Sequence, residues 1–196
     1  MGRWGHRLFE GDLDLDLASD VHDSEEHRLE VEKIIVTIRN RLDSGLGDKI
    51  FDKYRAKETE LFGKYKVIIV GALMMRAGAE INKEHFQHLR DLVPQIDCHH
   101  RYALPIHDLG LRGPGRAQFI AALDNYQPGT PRNFREPSCF HCGKVYADLG
   151  KTLKECGGCK EAWYCGVDCQ KAHWKLHKPI CKHLDECTGP FVSLNV

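Results

Sequence analysis

Four close pairs of cysteine and histidine residues stand near the end of the chain. They are Cys139 and Cys142, Cys156 and Cys159, Cys165 and Cys169, and His177 and Cys181. Two ligands separated by two or three residues lie on one tight turn or one helical turn, close enough to grip one metal ion. Zinc prefers four thiolate or imidazole ligands in a tetrahedron, so these pairs predict two closed zinc sites. Since protein fills every position, both ions are expected to be structural. Spacing alone does not say which pairs share an ion.

This stretch resembles the MYND-type zinc finger. The resemblance is carried by the four pairs, by Tyr164-Cys165 and by the run CQKAHWKLHKPIC that begins at Cys169. In that family the first and third pairs hold one zinc, and the second and fourth pairs hold the other, in a cross-brace with a short β-hairpin and a helix. The ligand sets that the resemblance implies are Cys139, Cys142, Cys165 and Cys169 for one ion, and Cys156, Cys159, His177 and Cys181 for the other.

The helix expected near the third pair carries a candidate peptide-binding surface. Gln170 and Trp174 are four residues apart and so share one helical face. Composition alone favours a core role for Trp174. Members of the MYND family, however, bind short proline-rich segments through a Gln and a Trp at matching positions, and the resemblance implies the same role here. Polyproline segments suit an aromatic surface because their conformation is already ordered.

One nearby histidine competes for a ligand position. His173 and His177 both follow Cys169 at helical spacing. We choose His177 because it completes a pair with Cys181, and we expect His173 on the exposed side of the helix.

Two other motifs have simpler explanations. Cys98, His99, His100 and His107 could form a further metal site, but adjacent histidines in a loop are more often polar surface. The run Gly113-Pro-Gly-Arg116 could cradle a phosphate at a helix start, but a turn followed by a helix explains it fully.

Composition limits the classes of function. The chain has 28 basic and 28 acidic residues, a balance that argues against a general nucleic-acid binder. Its cysteines are spaced for metal, and no apolar signal segment stands at the start, which indicates a reducing compartment. The protein is therefore expected in the cytoplasm or the nucleus and not outside the cell. No apolar run approaches the length of a membrane span, so no membrane partner is expected.

The predicted fold class is mainly α. Residues 1–126 are expected to form a helical domain, 127–138 a Pro-rich linker, 139–181 the zinc finger and 182–196 a tail. Helices are predicted over the ranges 23–42, 48–61, 65–76, 82–92 and 116–126. The apolar stretch at 65–76 is expected to be the buried central helix, although its β-branched run at 67–70 would also suit a strand. The acidic stretch at 12–16 is expected to be solvated.

The function expected from these features is that of a non-catalytic adaptor whose finger binds a proline-rich segment of a partner protein. No motif of a hydrolase, a metalloprotease or a dinucleotide enzyme is present. Some proteins with this finger also carry a SET methyltransferase domain, but this chain has neither the length nor the recognisable motifs expected of one. Two alternatives stay open: an enzyme with an unrecognised site in the helical domain and the finger as its docking arm, and a nucleic-acid-linked regulator that uses the finger's lysines.

Overall fold

The computed structural model describes residues 7–22, 31–96, 111 and 113–181. Helices make up most of the part before the cysteine pairs. They are α1 (Asp12–His22), α2 (Val31–Arg41), α3 (Gly47–Arg55), α4 (Gly63–Ala77), α5 (Lys83–Leu92) and α6 (Gly113–Asn125). The finger adds a helical turn, α7 (Tyr146–Leu149), two short strands, β1 (Lys154–Glu155) and β2 (Trp163–Tyr164), and the helix α8 (Val167–His177). The predicted fold class, mainly α with a small two-site metal module, is confirmed.

Helix α4 is the centre of the helical part. Its apolar run from Val67 to Met75 is buried on every side, because α1, α2, α3 and α5 pack around it. A helix that is apolar all round has to be enclosed in this way. It ends at Gly78, whose positive φ of 72° lets its amide cap the carbonyls of Met74 and Met75. The predicted central helix is confirmed, and the alternative strand is not formed.

The acidic stretch near the start differs from expectation. It forms α1, and Asp14 within it is buried. The Asp14 carboxylate accepts hydrogen bonds from the Tyr65 hydroxyl at 2.6 Å and from the Phe9 amide at 2.8 Å. These two donors replace water around the charge. The prediction that this stretch is solvated is therefore wrong at Asp14, because the Tyr65 hydroxyl that donates to it lies far away in the sequence.

A histidine between two carboxylates joins α3 to α5. Asn82 caps α5 by accepting from the His85 amide at 2.8 Å. The His85 ring stacks on Phe51, with ring centroids 4.1 Å apart, and its two nitrogens lie 3.2 Å from Asp48 and 3.0 Å from Asp52. This arrangement holds the start of α5 against one face of α3.

The start of α6 follows the expected turn, and its Arg116, the candidate cation for a phosphate, is engaged within the fold. The Arg116 side chain donates to the carbonyls of Val93 and Ile96 at the end of the preceding helix. Other predicted features lie outside the described residues: the helix start at 23–30, the group formed by Cys98, His99, His100 and His107, and the tail at 182–196.

The Pro-rich segment 127–138 lies along the helical part as an extended strap. The Gly129 amide donates to the Gly78 carbonyl at 2.8 Å, and the Arg132 amide donates to the Met75 carbonyl at 2.9 Å. Phe134 is buried between Phe9 and Phe119, with ring centroids 6.1 Å from each. The segment is therefore packed against the end of α4 and against α6.

The finger is seated directly on α6 and on this strap. Gly143 takes a positive φ of 73°, and a Cβ built on it would lie 1.8 Å from the Ala117 carbonyl oxygen. The Arg132 guanidinium meets the Asp148 carboxylate through two bonds of 2.5 and 2.6 Å, with both side chains buried. Burial raises the pKa of Asp148, but hydrogen bonds from Arg132 and from the Val145 amide outweigh it and hold the pKa below its ordinary value. The pair is therefore charged at neutral pH.

No helix in the described ranges is long and apolar enough to cross a membrane. The expected location in the cytoplasm or the nucleus stays a prediction.

Replacing Gly143 by alanine is expected to destabilise the zinc-loaded protein by about 2 kcal/mol or more. A left-handed backbone strains any residue with a Cβ, and here the Cβ also meets backbone of α6 that has no room to move. Thermal unfolding of the zinc-saturated protein measures the effect. Gly157→Ala is the matched control, because a Cβ at Gly157 meets nothing within 4 Å. Equal stability of the two variants would contradict the close seat on α6.

Replacing Asp148 by asparagine is expected to cost about 3 kcal/mol of unfolding free energy, because it leaves the Arg132 charge buried without its partner. Urea unfolding of the zinc-saturated protein measures the change. Asp124→Asn is the control, since Asp124 pairs with Arg90 at 2.7 Å in an exposed position and its loss should cost less than about 1 kcal/mol. A similar loss of unfolding free energy in both variants would show that the buried Arg132–Asp148 pair stabilises the protein no more than an exposed pair does.

Candidate metal centres

The first and second cysteine pairs stand on tight turns built by backbone hydrogen bonds. At the first, the Gly143 amide donates to the Cys139 carbonyl at 2.8 Å, and the Cys139 amide donates to the Lys144 carbonyl at 2.9 Å. At the second, the Cys156 amide donates to the Ala162 carbonyl at 2.7 Å. Such turns point two sulfur atoms to the same side of the chain, as a metal ion requires.

The hairpin and α8 supply the other two pairs. Strands β1 and β2 pair antiparallel, with Lys154 opposite Tyr164 and Glu155 opposite Trp163. The hairpin leads to Cys165, and α8 then places Cys169 and His177 on its inner face. A turn of tighter helix at Lys178–Ile180 brings in Cys181.

The side chains converge in two separate clusters. One cluster contains Cys139, Cys142, Cys165 and Cys169, and the other contains Cys156, Cys159, His177 and Cys181. Within each cluster all ligand atoms lie within 4.8 Å of one another. The structure thus brings the first pair to the third and the second pair to the fourth, as the family resemblance implied.

The distances within the clusters suit tetrahedral zinc. A tetrahedron with zinc–sulfur bonds of about 2.3 Å has sulfur–sulfur edges of about 3.8 Å. The Sγ atoms of Cys142 and Cys165 are 3.8 Å apart, as are those of Cys156 and Cys181. The donor sets, four thiols in one cluster and three thiols with an imidazole in the other, are those of structural zinc. The predicted cofactor, two structural zinc ions, is confirmed in that both clusters fit it.

The thiols in a cluster differ in how readily they lose a proton. Burial raises the pKa of Cys156, but hydrogen bonds from the backbone amides of Cys159 and Gly158 outweigh it and lower the pKa to about 6. Burial raises the pKa of Cys142 and of Cys181 to about 11, and neighbouring thiols add to the rise. Several negative charges therefore do not gather here unaided, and a divalent cation is the group that allows full deprotonation.

His173 lies outside both clusters and has a different partner. Its Nδ1 is 3.0 Å from the Tyr164 hydroxyl, and its ring stacks against His177 with centroids 6.0 Å apart. Burial lowers the pKa of His173, and the nearby His177 and His141 lower it further, which favours the neutral ring in this hydrogen bond. The expectation of an exposed side chain is wrong, because Tyr164 of the hairpin lies beneath this part of α8.

The predicted peptide-binding residues lie outside the ligand shell on α8. Trp174 is 42% exposed, and its ring meets the His177 ring edge-on at 5.9 Å. Gln170 is half-buried one turn earlier. Trp163 lies on β2 and is half-buried, with its carbonyl accepting the Phe140 amide at 2.8 Å. Trp174 is thus held on a rigid helix while much of its ring faces outward.

Two interleaved, fully protein-liganded zinc sites built on a hairpin and one helix define a cross-brace zinc module. The family profile described as the MYND finger matches residues 139–181, the same stretch. Residues 139–181 are therefore a MYND finger, a zinc-binding module of protein–protein interaction.

Several curated proteins are similar to part of this chain. A SET and MYND domain-containing protein of Dictyostelium discoideum is 52% identical over 48 residues, covering 24% of this chain and 9% of that protein. The histone-lysine N-methyltransferase ASHR1 of Arabidopsis thaliana is 45% identical over 82 residues, covering 36% and 16%. The human N-lysine methyltransferase SMYD2 is 34% identical over 80 residues, covering 35% and 18%. The chain thus spans less than a fifth of the length of each. No solved structure matches it significantly.

These relatives correct one expectation. The sequence motifs indicated that the protein is not an enzyme, yet several relatives that share its finger are named lysine methyltransferases. The expectation of a non-enzyme is therefore wrong. The metal ligands that dominate the sequence form closed sites and are not catalytic residues, so they gave no sign of this similarity.

Elemental mass spectrometry of the purified protein is expected to find two zinc ions per chain. The variants Cys165→Ser and Cys156→Ser each remove one ligand from one cluster. Each variant is expected to lose zinc from both clusters, because every ion ties together segments that the other also holds. Cys98→Ser is the control, since Cys98 is not among the paired cysteines, and it should keep both ions. A Cys165→Ser protein that retains two zinc ions would contradict the ligand set.

Proposed function

We propose that the protein works in the enzymatic methylation of protein lysines and that its MYND finger is the docking arm. In this proposal the finger binds a proline-containing segment of a partner or substrate protein and holds it near the methyltransferase activity. The relatives named as lysine methyltransferases support the enzymatic part. The exposed ring of Trp174, outside two closed metal sites, is the observation that supports docking.

The docking face is defined here as Gln170 and Trp174. Trp174 is on a helix that is anchored by metal ligands, so its indole ring is already ordered. Binding a peptide against this ring therefore costs little conformational entropy. A polyproline segment can stack on it, while the Gln170 amide can hydrogen-bond to the backbone of that segment. The zinc ions contribute rigidity rather than chemistry, because neither cluster has a position for a substrate.

In this proposal the described helical residues stabilise the protein and hold the finger in place. Their shifted groups belong to structural contacts: burial raises the pKa of Tyr126, whose hydroxyl bonds to the Ala79 carbonyl, and Arg55 lowers the pKa of Glu84 through an exposed ion pair. The methyltransferase part of the proposal therefore depends on the relatives and not on these groups. The strap and the seat on α6 would keep the docking face at a constant position relative to the helical part.

Trp174→Ala is expected to weaken binding of a proline-rich peptide by about 30-fold, the usual effect of removing a central aromatic anchor. Fluorescence anisotropy with a panel of labelled proline-rich peptides measures it, with Gln170→Ala as a second variant expected to have a smaller effect. Leu176→Ala is the matched control, because Leu176 is an exposed apolar residue of the same helix. Zinc content must stay at that of the wild type in all variants.

The enzymatic part is tested on the same proteins with a radiolabelled methyl donor, S-adenosylmethionine, and a panel of lysine-containing protein substrates. Methyl transfer that falls in Trp174→Ala but not in Leu176→Ala supports a docking arm. Absence of transfer to every substrate would contradict the enzymatic part, and peptide binding that is unchanged in Trp174→Ala would contradict the docking face.

A further inference from the structure

Three lysines stand beside the docking face. Lys171, Lys175 and Lys178 are exposed, and none of them forms an ion pair or a side-chain hydrogen bond with any residue in the described ranges. Lys171 and Lys175 are one helical turn apart, and Lys178 follows Trp174 by four residues. Helical spacing therefore places all three along one side of Gln170 and Trp174. We call these three residues the lysine edge.

The position of the lysine edge is not explained by the helix dipole alone. Lys175 and Lys178 lie at the carboxyl end of α8, where positive charge compensates the exposed carbonyls. Lys171 lies in the middle of the eleven-residue helix, beyond the reach of that effect. Nor, within the described residues, do these ammonium groups donate to the sulfur atoms of the metal clusters, whose polar contacts are with one another, with His177 and with backbone amides.

The lysine edge makes the docking face electrostatically one-sided. Trp174 offers an apolar surface, and along its flank three positive charges lie within a length of about 10 Å, given a rise of 1.5 Å per residue. Opposite charges across such a surface speed encounter and select the register of a bound segment. A segment that carries acidic residues next to its prolines would satisfy both features at once.

We propose that the docking face selects proline-containing segments that are flanked by acidic residues, and that the lysine edge reads the acidic flank. This inference rests on the proposed docking function and adds the chemistry of the partner to it. A nucleic acid would also be attracted by lysines, but the apolar face of Trp174 beside a balanced overall charge favours a peptide.

The test uses the full zinc-loaded chain and three labelled peptides with a common diproline centre and flanks of glutamate, glutamine or lysine. Anisotropy at low salt is expected to show the glutamate-flanked peptide binding about tenfold more tightly than the glutamine-flanked one, and the lysine-flanked peptide binding weakest. At about 500 mM salt the affinities of the first two peptides should converge, because attraction between charges then extends over only a few ångströms.

The decisive variant replaces Lys171, Lys175 and Lys178 by glutamine. It is expected to remove the preference for glutamate flanks and to leave binding of the glutamine-flanked peptide within about twofold of the wild type. The matched control replaces three other exposed lysines of the finger, Lys151, Lys154 and Lys160, by glutamine and should keep the preference. Zinc content is measured for both variants, so that loss of the fold is not mistaken for loss of charge.

The outcomes separate this inference from the docking function on which it rests. Peptide binding that depends on Trp174 but is equal for all flanks overturns the acidic preference and leaves the docking function standing. Failure of every peptide to bind overturns both. A labelled oligonucleotide is run in parallel, and tighter binding of it than of the glutamate-flanked peptide, lost in the lysine variant, overturns the inference in favour of a nucleic-acid partner.

Discussion

The finger depends on the gathering of mutually repelling thiolates around metal. Burial raises the pKa of Cys139 and Cys156, but backbone amides outweigh it and lower the pKa of both, while burial and neighbouring thiols raise the pKa of Cys142, Cys169 and Cys181. A divalent cation removes this conflict, and its binding free energy, about 10–16 kcal/mol for structural zinc, supplies the stability that so small a core cannot. Because the two ligand sets interleave along the chain, each ion would tie together segments that the other also holds.

The finger does not stand alone on the chain. The strap crosses from the end of α4 to the first cysteine, with Phe134 buried among aromatic rings of the helical part. Gly143 lies against the backbone of α6, and Arg132 of the strap meets Asp148 of α7 in a buried pair. The stability that metal provides in the finger can thus be transmitted to the helical part through direct contacts.

The closed metal sites place the function of the finger on its outer surface. Neither cluster leaves zinc a position for water or substrate, so the chemistry available to the finger is recognition on its outer surface. There the exposed part of Trp174 lies next to the lysine edge, and the Trp174 ring contacts His177, which in turn contacts Tyr164. The expectation of a non-enzyme is replaced because several similar proteins are named lysine methyltransferases.

The sequence by itself determined the features that depend on near neighbours. The spacing of the cysteine and histidine pairs identified the metal-binding stretch, Asn82 marked the start of α5, and the apolar run around Val67–Met75 marked the central helix. Tertiary structure alone decided the features that depend on distant partners. The burial of Asp14 needs Tyr65, and the neutral, half-buried state of His173 needs the hairpin. The packing of the Pro-rich strap needs Phe9 and Phe119, and the docking of the finger needs Ala117. Periodicity reports which residues are apolar within one element, but it carries no information about which distant donor or surface will meet them.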